Sequence, residues 1–191
     1  MMALDAMNDV CDDALMVLYA NGDQEAARAL TFRHAPRVLA LSRRLLRDMA
    51  EAEDVAQDAM LRLWKIAPEW RQGEAKVSTW LYRVASNLCI DRLRKKKGTH
   101  LDDIPEPADG KPSVEKRMQS NERALALQGA LMQLPERQRL AVTLRHIEEL
   151  ANPEIAEIMQ ISVDAVESLT ARGKRNLAGL LLGKKEELGL A

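Results

Sequence analysis

A chain of 191 residues is long enough for one medium-sized domain or two small ones. It is 47% hydrophobic but only 3% aromatic, and it is rich in Leu, Ala, Arg, Glu and Met, a composition that favours helices over strands. The 28 Lys and Arg residues nearly balance the 29 Asp and Glu residues, so only the distribution of charge along the chain can indicate a nucleic-acid partner.

The cysteines and histidines are too scattered to indicate a metal site or a disulfide framework. Cys11 and Cys89 are far apart, and the three histidines are equally dispersed, so we expect no metal and no cofactor. The first residues carry acids rather than a basic stretch followed by an apolar one, and no segment reaches 18 uninterrupted apolar residues. We therefore expect a cytoplasmic protein without membrane insertion.

Apolar residues recur at helical spacing through the first hundred residues. The segment 26–46 predicts one long helix, or two helices separated at Pro36. The segment 52–66 predicts another helix, which ends at Pro68. A third helix is expected to begin near Val77 and to continue into a basic end.

The composition changes after this block. The segment 99–114 contains three prolines and a glycine with little periodicity, which indicates a linker. Helical spacing resumes at Ala124, and Pro135 suits the first position of a further helix. We predict an all-α fold of two small helical domains joined by a flexible acidic linker. The predicted boundaries are 13–97 for the first domain, 98–117 for the linker and 118–185 for the second domain.

Charge follows the same boundaries. Residues 82–97 hold six basic side chains against one acid, and residues 172–185 hold five basic side chains and no acid, so each segment carries a net charge of +5. Residues 100–116 carry a net charge of −3. A single charged run is as often a solvated face as a binding site, but a basic run at the end of each domain favours DNA as the partner.

The segment 152–177 is typical of a helix-turn-helix. Asn152 is expected to cap a first helix that begins at Pro153, the chain turns at Gln160-Ile161, and Ser162 is expected to cap the second helix. Short polar groups near the start of a recognition helix suit base edges, and Arg and Lys further along suit phosphates. A generic two-helix hairpin can share this apolar pattern. The predicted DNA-contacting residues are Ser162, Glu167, Ser168, Ala171, Arg172, Lys174 and Arg175.

This second half resembles region four of bacterial sigma factors. The resemblance is carried by Leu134-Pro135-x-x-x-Arg139, by 154–157 (EIAE) and by 163–168 (VDAVES). Response regulators with a C-terminal helix-turn-helix share much of this pattern, so this half alone leaves both families open.

The first half resembles region two of the extracytoplasmic-function class of sigma factors. Residues 53–64 (EDVAQDAMLRLW) resemble the helix that docks sigma onto RNA polymerase, and residues 78–87 (STWLYRVASN) resemble the promoter-opening helix. With region four, the resemblance extends from about Asp13 to Leu182. It implies a non-catalytic subunit whose partners are core RNA polymerase, promoter DNA and a cognate anti-sigma factor.

The resemblance also implies functional residues. The polymerase-binding residues would be Glu53, Asp54, Gln57, Asp58 and Arg62, outside a stripe of Val55, Ala59 and Leu63. The minus-ten DNA would be contacted by Trp80, Tyr82, Arg83, Asn87, Arg92 and Arg94, although Trp80 is better explained as core. The loop from Trp70 to Val77, together with Asn87, would border the pocket for a flipped base and would determine the base preference. The acidic linker would run towards the polymerase active centre.

Four residues depart from the family pattern. Met60 replaces a frequent Phe, which is expected to alter packing rather than function. Ala151 stands where Ser or Thr is frequent, and its lack of a capping side chain costs about 1 kcal/mol unless Asn152 takes over. Glu167 stands where many members carry a basic residue. Its carboxylate can accept a hydrogen bond from a cytosine amino group instead of contacting phosphate. Gly173 lies inside a predicted helix, which indicates a close approach of two helices or a softened helix end.

Other functions fit the sequence less well. A two-component or quorum-type regulator needs an α/β receiver or ligand domain, but the first half has no strand pattern. An enzyme needs a nucleophile set, a phosphate loop or a metal cluster, and the sequence contains none of these patterns. A third alternative is an adaptor that only holds an anti-sigma protein, and release of transcription on removing the partner would distinguish it from an active sigma factor.

Overall fold

The computed structural model describes residue 7 and residues 9–99 and 115–182, with side chains 97–99 and 115–123 left out. Within these ranges the chain is helical and contains no strand. The fold class is therefore confirmed as all-α. The acidic linker that was predicted from composition lies largely outside the described residues.

The described residues of the N-terminal half form four helices. They are α1 (Asp12–Ala20), α2 (Gln24–Leu45), α3 (Met49–Ile66) and α4 (Val77–Thr99), with a short 3-10 turn (Ala67–Glu69) after α3. Aspartates begin two of them: the Asp23 carboxylate accepts from Glu25 N at 2.9 Å, and the Asp48 carboxylate accepts from Glu51 N at 3.1 Å. Each carboxylate accepts a hydrogen bond from a backbone N–H group that has no acceptor within the first turn of the helix.

Pro36 does not divide α2. Residues on both sides of it are buried on the same face, including Leu30 before it and Val38 and Leu41 after it. A proline removes one backbone hydrogen bond from a helix, but the burial of the turns on either side keeps the helix continuous here. The prediction of a single long helix is confirmed, and the alternative with a break is wrong.

In the C-terminal half, the residues that the structure describes form four further helices. They are α5 (Glu115–Gln133), α6 (Glu136–His146), α7 (Asn152–Met159) and α8 (Val163–Leu182). Helix α4 thus extends to Thr99 and α5 begins at Glu115, so both helices run into the segment 98–117 that was predicted as linker.

The two halves pack against each other. Helix α7 lies on α4, and α5 and α6 contact α2. The fully buried Ile155 and Ile158 of α7 belong to the same apolar cluster as Leu81 and Ala85 of α4. The C-terminal half therefore covers one side of the helix that carries the predicted minus-ten residues.

Candidate nucleic-acid interface

Helix α3 has a buried stripe and a polar outer face. Val55, Ala59 and Leu63 are fully buried. The predicted polymerase-binding residues lie outside this stripe: Asp58 is half exposed, and the exposed members are Glu53, Asp54, Gln57 and Arg62. The exposed Leu61 lies on this helix beside Arg62, and the sequence analysis did not single it out. The predicted division of the helix is confirmed, and the polymerase contact itself stays a prediction.

The basic end of α4 is partly held against α3. Arg92 donates to the Glu51 carbonyl oxygen at 3.0 Å and pairs with Asp58 at 3.4 Å. Lys96 pairs with the Glu51 carboxylate at 3.0 Å. In this conformation the Arg92 guanidinium connects α4 to α3 within the N-terminal half. The predicted minus-ten contact of Arg92 stays a prediction, and Arg94 is exposed.

The two aromatic residues of the minus-ten set are not free surface platforms. Trp80 is partly buried and packs edge-on against Trp70, with ring centroids 6.3 Å apart, which agrees with its interpretation as core. Tyr82 is only 5% exposed, and its hydroxyl donates to Glu148 Oε2 at 2.8 Å. Burial and the neighbouring Glu148 carboxylate raise the pKa of Tyr82, so the hydroxyl remains a donor. Tyr82 is thus buried in this conformation, and its predicted contact with the minus-ten DNA stays a prediction.

The loop from Trp70 to Val77, called the 70–77 loop below, is positioned by the N-terminal helix. The Asp13 carboxylate of α1 accepts from Trp70 Nε1 at 2.9 Å and from Gly73 N at 3.0 Å. Gly73 has a φ of +80°, a conformation that glycine adopts without strain. A cavity of about 300 Å³ adjoins the loop, and Asn87 is exposed elsewhere on α4 rather than in its lining.

Acidic residues of the C-terminal half face this loop. Glu154 of α7 pairs with Lys76 at 2.7 Å, and Glu157 lies in the lining of the same cavity. The Lys76 hydrogen bond lowers the pKa of Glu154, and the same bond raises the pKa of Lys76. Glu148 accepts from Arg44 at 2.9 Å as well as from Tyr82, so polar contacts join the two halves at more than one point.

Helices α7 and α8 form the predicted helix-turn-helix. The turn is at Gln160, which has a φ of +52°, and the Ser162 hydroxyl accepts from Ala165 N at 3.2 Å, which confirms it as a cap. Asn152 does not cap α7, because it is the first helical residue and Ala151 occupies the capping position. Glu154 compensates in part, since its carboxylate accepts from Ala151 N at 3.1 Å.

The outer face of α8 carries all the residues predicted to contact the minus-thirty-five DNA. The exposed residues are Ser162, Glu167, Ser168, Ala171, Arg172, Lys174 and Arg175. Glu167 accepts from the Asn152 side chain at 3.3 Å, which joins α7 to α8. An open groove of about 450 Å³ lies between α6 and α8, with Arg137, Ser168 and Arg172 in its lining. The basic Lys184 and Lys185 lie outside the described residues.

Sequence reasoning gave no structural role to four residues that shape this interface, although Arg139 was part of the motif that resembles region four. Arg137 is exposed on α6 and brings a second cation to the groove. The buried Arg139 donates to backbone carbonyls of both halves, including Leu45 O at 2.8 Å and Leu131 O at 3.0 Å. Asp13 and Glu148 act on partners more than fifty residues away. Helical periodicity reports only near neighbours, so no local signal could have identified Asp13 or Glu148.

Two further features concern metals and membranes. Among the residues that the structure describes, no cluster of His, Cys, Asp and Glu could hold a metal ion. In the same part of the chain, no helix combines the length and apolar character that a membrane span requires.

Comparison with known proteins gives consistent matches over both halves. Residues 30–99 match the family model for Sigma-70 region 2, and residues 124–177 match the model for Sigma-70, region 4. The chain is 35% identical over 173 residues to the ECF RNA polymerase sigma factor SigM of Mycobacterium tuberculosis, which covers 89% of this chain and 84% of the relative. It is 34% identical over 168 residues to the ECF RNA polymerase sigma factor SigW of Bacillus subtilis, covering 82% and 89%.

Solved structures share the fold. CnrH in complex with the cytosolic domain of CnrY matches with a TM-score of 0.69 and 23% identity, over 90% of this chain and 97% of that one. RpoE from Bartonella quintana, in complex with the anti-sigma factor NepR, matches with a TM-score of 0.63 and 19% identity, over 81% and 95%.

Proposed function

Because this chain belongs to the extracytoplasmic-function sigma factors of the sigma-70 family, which are non-catalytic subunits of RNA polymerase for transcription initiation, we propose that its two domains divide the promoter between them. The N-terminal domain binds core polymerase and the minus-ten element. The C-terminal domain binds the minus-thirty-five element.

The polymerase contact is assigned to the outer face of α3. Its exposed acids, Glu53 and Asp54, and the neighbouring Gln57 suit a basic partner surface, and the buried stripe behind them holds the helix in place. Asp58 and Arg62 complete this face, with Asp58 also paired to Arg92. The exposed Leu61 adds an apolar contact that such a docked face can bury.

The minus-ten contact is assigned to the 70–77 loop with Arg83, Asn87 and Arg94. A base that leaves the duplex costs a few kcal/mol of stacking and pairing, which contacts in a protein pocket offset. The exposed polar side chains of the loop can supply hydrogen bonds to base edges. Trp80 supports the loop through Trp70 instead of stacking on a base.

The observation that carries the DNA-binding role is the groove beside α8. The lining of the groove combines the short hydroxyl of Ser168 with two cations, Arg137 and Arg172, and all three residues are exposed. This arrangement suits a recognition helix in the major groove, with the cations on phosphates and the hydroxyl at base edges. Lys174 and Arg175 extend the basic face along the same helix.

We further propose that an anti-sigma factor controls this protein. The solved neighbour from Bartonella quintana is bound to such a factor, and the polar face of α3 is a surface that an inhibitor can cover in place of polymerase.

The first experiment is competition with the housekeeping sigma for core polymerase. The double variant Glu53→Gln, Asp54→Asn is expected to compete about tenfold less well, because two charges that complement the partner are removed. The variant Glu69→Gln, an exposed acid on the 3-10 turn, serves as the control and is expected to compete like the unmodified chain. Equal competition by all three proteins overturns the assignment of α3.

The second experiment is binding to duplex promoter DNA at several salt concentrations. Sequencing of transcripts that the holoenzyme initiates supplies the promoter. Arg137→Ala and Arg172→Ala are each expected to lower the salt slope by about 1, since each removes one phosphate contact. Arg28→Ala, an exposed arginine of α2, is the control. If the chain binds duplex DNA but not polymerase, it acts as a helix-turn-helix regulator and the proposed division of the promoter is wrong.

A further inference from the structure

A single carboxylate from the first helix holds the 70–77 loop at two points. Asp13 Oδ1 accepts from the indole nitrogen of Trp70, where the loop begins, and Oδ2 accepts from the backbone nitrogen of Gly73, in the middle of the loop. Both distances are short, at 2.9 and 3.0 Å. A charged acceptor makes each bond stronger than a neutral pair would be.

The loop has few other anchors. The side chains of Arg71, Gln72 and Glu74 are exposed, and Arg71 pairs with Glu74 within the loop itself. Lys76 reaches outside the loop, but its partner Glu154 belongs to the other domain. Within the N-terminal domain, Asp13 is therefore the side chain that ties the middle of the loop to a helix.

We propose that Asp13 is a positioning residue that fixes the 70–77 loop in the conformation that receives a minus-ten base. This inference rests on the proposed role of the loop. It places a determinant of promoter selectivity in helix α1, outside the segments proposed to contact DNA. Preorganised groups bind a ligand more selectively because they need not be ordered on binding.

Helix α1 does not depend on Asp13 for its attachment. Asp12 pairs with Arg33 and with His34 Nε2, the latter at 2.8 Å, and both partners lie on α2. Leu15 and Met16 of α1 are also fully buried. Removing the Asp13 carboxylate should release the loop while α1 stays docked, so the effect on selectivity can be separated from unfolding.

The test uses the full chain bound to core polymerase. Binding is measured to a single-stranded oligonucleotide that carries the minus-ten sequence from the initiated transcripts, and to versions with one base changed. Asp13→Ala is expected to weaken binding of the correct sequence on the order of tenfold, as expected for lost charge-assisted hydrogen bonds. Binding of the changed sequences should decrease much less, so that discrimination falls, while affinity for core polymerase stays the same.

Three variants refine the test. Asp13→Asn keeps one acceptor oxygen and should retain part of the discrimination. Trp70→Phe keeps a ring but removes the indole donor. Its effect should not add to that of Asp13→Ala, because Asp13→Ala already removes the hydrogen bond between Asp13 and Trp70. Asp9→Ala makes the same charge change at an exposed position and should bind like the unmodified chain. If Asp13→Ala does not fold, Asp13→Asn and Trp70→Phe still decide the matter.

The outcomes separate the inference from the function on which it rests. Arg71→Ala and Gln72→Ala test the loop directly. If these two variants change the base preference but Asp13→Ala and Trp70→Phe do not, the positioning role is overturned and the loop keeps its function. If neither loop variant changes the base preference, the proposed role of the loop is wrong and the inference falls with it. Equal weakening on every sequence, together with loss of polymerase binding, reduces Asp13 to a structural residue.

Discussion

Gly173 lets α8 lie directly on α6. A Cβ atom at this position would be 2.5 Å from Val142 Cγ2 and 3.2 Å from the Gln138 carbonyl oxygen, and Gly173 itself is buried. Of the two explanations that the sequence left open for this glycine, the structure supports the close approach. A valine side chain can move only by rotating about one bond, and the carbonyl belongs to a helix, so neither neighbour yields easily.

We predict that Gly173→Ala destabilises the C-terminal domain. Alanine gains about 1 kcal/mol of helix propensity, but overpacking costs about 1–3 kcal/mol, and the contact at 2.5 Å makes the second effect larger. Every Trp and Tyr of the chain lies before residue 83, so none of them lies within the packing of α6 and α8. Hydrogen exchange of the α6 and α8 amides is the suitable measurement, and exchange should become faster.

Gly179→Ala is the matched control on the same helix. Nothing lies within 4 Å of a Cβ atom at Gly179, so alanine should stabilise α8 by up to about 1 kcal/mol and slow the exchange. Slower exchange in both variants would mean that the two helices separate readily and that the close approach does not require glycine.

At the scale of helices, Arg139 joins the ends of two elements. Its guanidinium donates to Leu131 O at 3.0 Å, Met132 O at 2.9 Å and Leu134 O at 3.2 Å, all around the end of α5. It also donates to Leu45 O at the end of α2, at 2.8 Å. Met132 O and Leu45 O lie in the last turns of α5 and α2, where a helix lacks the residues that would donate to its carbonyls, whereas Leu131 O also accepts from Leu134 N at 3.1 Å.

We predict that Arg139→Met lowers stability by about 2–4 kcal/mol, since it leaves several buried carbonyls without donors. Arg139→Lys should be intermediate, because an ammonium group cannot reach all of them with the planar fork of a guanidinium. Hydrogen exchange at the end of α5 and at the start of α6 measures the effect. Arg137→Met, on the same helix but exposed, should leave exchange unchanged and weaken DNA binding. Equal exchange in the Arg139 and Arg137 variants would contradict the capping role.

The helices and their buried faces could be predicted because they depend on nearby residues. The spacing of Val55, Ala59 and Leu63, four residues apart, identified the inner face of α3. The same reasoning identified the outer face of α8. Capping of α7 was predicted less well: the helix begins one residue earlier than expected, which moves Asn152 from the cap into the first turn. A shift of one residue in the start of a helix is common, because the local sequence does not fix a helix boundary to the residue.

The contacts that fix the candidate site could not be predicted in this way. Asp13 is sixty residues from Gly73, and Tyr82 is sixty-six residues from Glu148. These pairs meet only after the helices have packed, and nothing in the local pattern around either residue indicates its partner. The basic end of α4 illustrates the same limit, because its charge suggested DNA although Arg92 and Lys96 face acids of α3.

At the scale of the molecule, the C-terminal domain covers part of the surface that is proposed to bind the minus-ten element. Glu148 accepts from both Tyr82 and Arg44, and Glu154 pairs with Lys76 of the 70–77 loop. Helix α7 lies on α4, which carries the proposed minus-ten residues, and Glu154 of α7 pairs with the loop. If these residues bind the minus-ten element as proposed, promoter binding requires the two domains to separate.

Glu148 is the residue through which this equilibrium can be shifted. Glu148→Gln removes the charge that pairs with Arg44 and weakens the acceptor for Tyr82, both of which lie at a largely buried contact. A loss of about 1–2 kcal/mol between the domains raises the separated population roughly 5- to 30-fold. Apparent affinity for a partner that needs separated domains rises by the same factor while that population is small.

We therefore predict that Glu148→Gln binds core polymerase and promoter DNA together more tightly, and that its radius of gyration in solution increases. Small-angle scattering of the free chain measures the second effect, and holoenzyme titration of the promoter measures the first. Glu149→Gln removes one charge from the adjacent, exposed position and should change neither. Expansion without tighter binding would mean that opening does not limit promoter binding. An unchanged radius would mean that the apolar contact of Ile155 and Ile158 on α4 holds the domains together without Glu148.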